Sequence, residues 1–172
     1  MSSPARRNHA LLAATHAALL VPSAWLATRH LRGERDPLTG LRTRRFLDRR
    51  RAQQTTVVVF CDLDNFKQVN DRYGHAVGDT LLRAVGETLE DATRVDDIVV
   101  RYGGDEFLIL ARTADGVERM LRRLRGALDE VLLPYNAGVS FGLARVEDEG
   151  LAAALLVADS AMYEEKTGWA PL

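Results

Sequence analysis

The sequence predicts an α+β domain on the βαββαβ, ferredoxin-like plan, preceded by a hydrophobic helix. Three observations carry this expectation. Apolar runs of strand length stand at residues 57–62, 98–102, 106–111 and 137–146. Helically spaced stripes separate them, with Leu81, Leu82, Val85 and Leu89 in one interval and Val117, Met120, Leu121, Leu124 and Leu128 in the next. Gly103, Gly104 and Asp105 alone separate the second run from the third, which demands a hairpin. A Gly-Gly connection suits the primed turns, whose central residues both need positive φ.

Taken from the N-terminus, residues 1–35 form a first unit. From residue 8 to residue 28 there is no Asp, Glu, Lys or Arg, and Ala and Leu dominate. Such a length can cross ~30 Å of hydrocarbon. His16, Pro22 and Ser23 interrupt it, so the segment reads either as a membrane anchor or as a soluble, dimer-forming amphipathic helix. Arg29, Arg32, Arg35, Arg42, Arg44 and Arg45 follow it and outnumber Arg6 and Arg7 before it. In the anchored case that asymmetry keeps the remainder in the cytoplasm. A cleaved leader is not expected, because Ala-Leu-rich sequence runs through Trp25 into arginines without a cleavage pattern. Gly33-Glu34-Arg35 reads as a polar linker, and residues 36–172 as the folded domain.

Within that domain the order is strand, helix, strand, strand, helix, strand, closed by a helix whose stripe is Leu151, Leu155, Leu156 and Met162. A right-handed crossover makes the first two strands parallel, and the third fits antiparallel between them. Asp62, ending the first strand, therefore meets Asp105 and Glu106, beginning the third. Carboxylates so placed raise one another's pKa. A divalent cation relieves the repulsion, and oxygen ligands beside phosphates suit Mg²⁺ or Mn²⁺. An isolated Asp near a turn is more often a cap than a ligand; Asp64-Asn65 can cap a helix beginning at Phe66, and Asp64 is read as structural.

Composition narrows the function. At 172 residues and 47% hydrophobic the chain suits one domain with a short appendage. A net charge of −1 gives no electrostatic footprint for nucleic acid, whereas a few placed cations suffice for a nucleotide. Cys61, the single cysteine, lies inside an apolar run and reads as buried and inert.

The string Arg101-Tyr102-Gly103-Gly104-Asp105-Glu106-Phe107 resembles the signature of the GGDEF family, the diguanylate cyclases. Asp36-Pro37-Leu38-Thr39-Gly40-Leu41 resembles the family's opening motif, and the stretch from Asp62 through Phe66, Lys67 and Asn70 to Asp71 its first-strand motif. Gly74-His75, Gly78-Asp79, Gly138 to Gly142, Ala158-Asp159, Met162-Tyr163 and Lys166 follow in family order. The resemblance implies a nucleotide-cyclase-like palm that condenses two GTP into cyclic di-3′,5′-GMP and two pyrophosphates. It further implies that Asp62, the Leu63 carbonyl, Asp105 and Glu106 hold metal, with Asp105 or Glu106 taking the ribose proton. Lys67 resembles the lysine that steadies the transition state. Lys166 adds a phosphate contact, and Gly103 and Gly104 admit phosphates closely. The chain has only these two lysines; otherwise each is a solvated helix residue.

Guanine offers an acceptor O6 beside an N1–H and N2–H₂ donor edge, so an Asp and an Asn together can read it. The resemblance gives that task to Asn70 and Asp79, with His75 near the same loop. The bland alternative makes Asn70 a helix end and Asp79 a helix start. Arg94 and Asp97 have the spacing of the family's product-inhibition site, against a plain surface ion pair. The resemblance also implies a homodimer with facing half-sites for turnover. The alternative class is a catalytically weak GGDEF module that binds GTP or cyclic di-GMP as receptor or scaffold. Thr43 departs from the opening motif, and Thr167-Gly168-Trp169-Ala170 replaces the usual Gly-Arg-Asn ending, with loss of an expected phosphate-contacting Arg.

Overall fold

The computed structural model describes residues 34–49, 52–146 and 150–168. Five strands make one mixed sheet: β1 (Arg42–Thr43), β2 (Val57–Asp64), β3 (Ile98–Gly103), β4 (Glu106–Ala111) and β5 (Gly138–Arg145). Their spatial order is β1-β3-β4-β2-β5. The four strands expected from sequence are present, with β4 antiparallel between β2 and β3. The two-residue β1 is an addition, parallel to β3 at the edge. It is too short to leave a hydrophobic periodicity in the sequence. Residues 8–28 lie outside the described residues; among the described residues no helix is long and apolar enough to cross a membrane.

Period-2 alternation sends the two sides of β2 into two separate cores. Val57, Val59, Cys61 and Leu63 face α1 (Phe66–Tyr73), α2 (His75–Ala92) and α3 (Val117–Leu132). Val58 and Phe60 face α4 (Gly150–Thr167) and the 3₁₀ turn Arg44–Asp48. The α3 stripe advances by fours through Met120, Leu124, Leu128 and Leu132, and the last three are fully buried. Truncating one of these leucines to Ala costs ~2–5 kcal/mol.

The α4 stripe differs from the expected one. Leu151, Ala154, Ala158 and Met162 are buried, whereas Leu156 is 70% exposed. Close approach to β5 is the reason. A Cβ on Gly142 would lie 1.9 Å from the Ala158 carbonyl oxygen and 2.3 Å from the Met162 nitrogen, so only small side chains fit that seam. Leucine marks the stripe less well than alanine does here.

Candidate active site

The hairpin between β3 and β4 departs from the Gly-Gly turn expected. Gly103 remains in β3, paired with Glu106, and the connecting residues are Gly104 and Asp105. Neither glycine adopts the left-handed region. A ladder irregularity between Arg101 and Gly103 absorbs the conformational demand instead. The glycines matter for space: a Cβ on Gly103 would lie 2.9 Å from Glu106 Oε2, while Gly104 meets nothing within 4 Å and leaves the backbone open to approach.

Arg101 holds this tip in place. Its Nε and Nη2 donate to the Gly104 carbonyl at 3.1 and 2.8 Å, and its Nη1 donates to Asp36 Oδ1 at 2.8 Å. Asp36 also accepts from the Thr39 amide and hydroxyl at 2.9 and 2.8 Å, which closes the turn containing Gly40 at φ 74°. Burial works to raise the Asp36 pKa, but the Arg101 and Thr39 hydrogen bonds outweigh it and hold the carboxyl below its ordinary value.

The predicted convergence of acids is present. Asp62 is the direct cross-strand partner of Glu106, and the Leu63 amide donates to the Asp105 carbonyl at 3.3 Å. An extended residue presents its N–H and C=O on one edge, so the Leu63 carbonyl also faces the hairpin side. Burial first, then the Asp62 charge, push the Asp105 pKa up. Burial, Asp62, Asp105 and Asp159 do the same to Glu106. Into this negative pocket Lys166 extends from the last turn of α4 and donates to Asp62 Oδ1. Burial would lower its pKa, but Asp62 and the surrounding acids raise it above the ordinary lysine value.

Asp64 is no helix cap. Asn65, at φ 62°, makes no side-chain cap bond, and Asp64 instead accepts from the Ser140 hydroxyl at 2.9 and 3.1 Å. Burial raises its pKa as well. The Cys61 thiol is wholly buried, which pushes its pKa far up, in line with an inert core residue.

Beside the hairpin tip is a cleft of about 370 Å³ whose lining includes Lys67 and Asn70 from α1, His75 and Asp79 from α2, and Arg101, Gly104 and Asp105. Asn70 lies inside α1 and Asp79 inside α2, so neither ends a helix and capping does not explain them. Lys166 and Glu106 stand on the α4 side, and Asp105 joins the two halves. Arg101 is the cleft residue that sequence reading overlooked as functional; its place next to the Gly-Gly pair was the available signal.

Arg94 and Asp97 are brought together at the opposite end of β3, beside another cleft of about 320 Å³. They do not form the simple side-chain ion pair of the bland alternative. Arg94 donates to Thr113 Oγ1 and the Asp115 carbonyl at 2.7 and 2.8 Å. Asp97 accepts from the Arg94 and Arg112 backbone amides at 3.2 and 3.1 Å.

The acids also suit a hard divalent ion. Among the described residues no three His, Cys, Asp or Glu side chains form a ready cage.

Comparison with known proteins points the same way. The family model described as "Diguanylate cyclase, GGDEF domain" matches residues 34–169. Diguanylate cyclase DgcP of Escherichia coli K12 is 39% identical over 76% of this chain and 44% of its own length. For diguanylate cyclase DgcZ of the same organism the figures are 36%, 79% and 51%. The chain thus spans about half the length of these relatives. Among solved structures, the coiled coil and GGDEF domain of DgcB from Caulobacter crescentus in complex with c-di-GMP superposes with a TM-score of 0.74 at 26% identity, covering 93% of this chain and 94% of that one. Diguanylate cyclase SiaD from Pseudomonas aeruginosa, in complex with its activator SiaC, gives 0.69 at 27%, covering 95% and 72%.

Proposed function

The chain belongs to the GGDEF family of diguanylate cyclase domains, matched over residues 34–169, and from that premise we propose that it condenses two GTP into cyclic di-3′,5′-GMP and two pyrophosphates. The observation that supports this is that Asn70, Asp79, Lys67 and, at the hairpin tip, Asp105 line one cleft. In this reading the base-reading groups and the acid chemistry share one cleft.

In this reading Asp79 accepts from guanine N1–H and N2–H₂, and Asn70 completes the edge with donor and acceptor. His75 lines the same cleft. Lys67 neutralises phosphate charge as pyrophosphate departs. Gly103 and Gly104 let the phosphates approach the hairpin backbone. Asp105 accepts the 3′-hydroxyl proton as that oxygen bonds to the α-phosphorus of the other GTP and the bond to pyrophosphate breaks. Asp62, the Leu63 carbonyl, Asp105 and Glu106 would hold Mg²⁺ or Mn²⁺, which supplies activation of the hydroxyl and charge relief on the phosphates. Lys166 leaves Asp62 for a phosphate once another cation is there.

Each domain presents one GTP, so turnover requires a homodimer with facing half-sites. Residues 8–28, as anchor or as dimer-forming helix, would bring the copies together, with the catalytic domain on the cytoplasmic side. Cyclic di-GMP would bind back at Arg94 and Asp97. The test is incubation of the full chain with GTP or ATP and Mg²⁺ across a range of protein concentrations. A GTP-only reaction whose specific rate rises with concentration supports the proposal. Tight GTP binding without turnover would assign the receptor role instead.

A further inference from the structure

We propose that Gly78 is a positioning residue for base recognition: its missing side chain is what allows the Asn70 amide to occupy the cleft. The inference rests on the GTP reading of that cleft and extends it to a residue with no polar side chain.

Gly78 is buried near the start of α2, where glycine is a poorer helix former than alanine. Its φ is not left-handed, so the backbone does not demand glycine. The demand is steric and comes from α1. A Cβ at Gly78 would lie 2.0 Å from Asn70 Oδ1, 3.1 Å from Asn70 Cγ and 3.3 Å from Phe66 Cζ. Asn70 and Phe66 are one turn apart, so a single face of α1 presses on α2 at Gly78. By contrast, Gly126 within α3 has nothing within 4 Å of its added Cβ.

The consequence concerns geometry at the cleft. Asp79 directly follows Gly78, and both Asn70 and Asp79 line the same space. A methyl group at Gly78 drives the Asn70 amide away from its place against α2, while the Asp79 carboxylate stays on its helix. The base edge then loses one of two partners that must act together.

Three variants decide the matter: Gly78→Ala, Asn70→Ala and the double substitution, each measured for GTP turnover and thermal unfolding. Gly78→Ala should raise KM for GTP about tenfold, leave kcat within about twofold, and keep or raise Tm. The double variant should be no worse than Asn70→Ala alone, because both changes remove the same contact. An unchanged KM in Gly78→Ala, or effects that multiply in the double variant, overturns the proposal. If the wild-type chain binds no GTP, the reading of the cleft fails, and the side-chain amide NMR signal of Asn70, assigned by its loss in Asn70→Ala, still tests the steric claim. A displaced signal in Gly78→Ala supports it, and an unmoved one overturns it.

Discussion

Lys166 and Asp62, 104 residues apart in the chain, form an ion pair across the end of the sheet. The ammonium stands among Asp62, Asp64 and Asp105, where a bound cation would relieve the same repulsion. In the proposed reading, lysine and metal are therefore alternatives at Asp62. Lys166→Met should lower stability modestly, by about 1 kcal/mol or less, since the pair is partly solvated. Added Mg²⁺ should then raise Tm more in the variant than in the wild type. Equal Tm shifts in the two proteins would separate Lys166 from cation binding.

Asp105→Asn should abolish turnover while the protein folds normally. The sign of the stability effect follows from the raised pKa of Asp105. Folding is penalised by its ionisation at neutral pH, and the penalty disappears as pH falls below the ordinary carboxylate value of 3.8. The amide variant should therefore be more heat-stable than wild type at pH 7, with the difference fading toward pH 4. A variant that turns over GTP at the wild-type rate would remove Asp105 from the chemistry.

Arg101→Ala should release the hairpin tip from both the Gly104 carbonyl and Asp36. Loss of charged hydrogen bonds in this mostly buried setting costs ~1.5–3 kcal/mol. Because the folded pKa of Asp36 is depressed, its contribution is present above the ordinary value of 3.8 and is lost as pH falls through the folded value. Acid unfolding of Arg101→Ala should thus show a weaker pH dependence on that limb. Chemical denaturation at pH 7 and near pH 3 measures both effects, and identical curves for variant and wild type would contradict them.

Much of this site is legible in the sequence, for a specific reason. Apolar runs on both sides of Gly103 and Gly104 fix the β3–β4 hairpin, and chain topology then forces Asp62 against Glu106. Features set by side-chain reach rather than periodicity are not legible. Lys166 finds Asp62 only because α4 packs down on Gly142. Arg94 turns toward Thr113 and Asp115, which lie beyond the next two strands in sequence. The turn conformation is not legible either, because a ladder irregularity between Arg101 and Gly103 removes the need for left-handed glycines.

Asp79→Ala should raise the GTP requirement, because the guanine donors lose their acceptor at a cost of ~1–3 kcal/mol. That corresponds to roughly 5- to 150-fold in KM or in discrimination against ATP. Competition assays with both nucleotides provide the measurement. Equal use of ATP and GTP by the unmodified chain would contradict the assignment.

Arg94→Ala should relieve inhibition by cyclic di-GMP without changing the initial rate at low product. The site is at the far end of β3 from Gly103, so inhibition in the wild type should be noncompetitive with GTP. Loss of the Thr113 and Asp115 contacts should also lower Tm slightly. Progress curves with added cyclic di-GMP test this, and an unchanged inhibition constant would place product control elsewhere.

The most direct test of the central claim is the stoichiometry of the reaction with purified protein, Mg²⁺ and GTP, with the product identified by mass spectrometry and pyrophosphate counted. Condensation predicts cyclic di-3′,5′-GMP with two pyrophosphates released per molecule formed, and none from Asp105→Asn. GTP bound at the cleft but recovered intact, with neither product appearing at any protein concentration, would contradict the account.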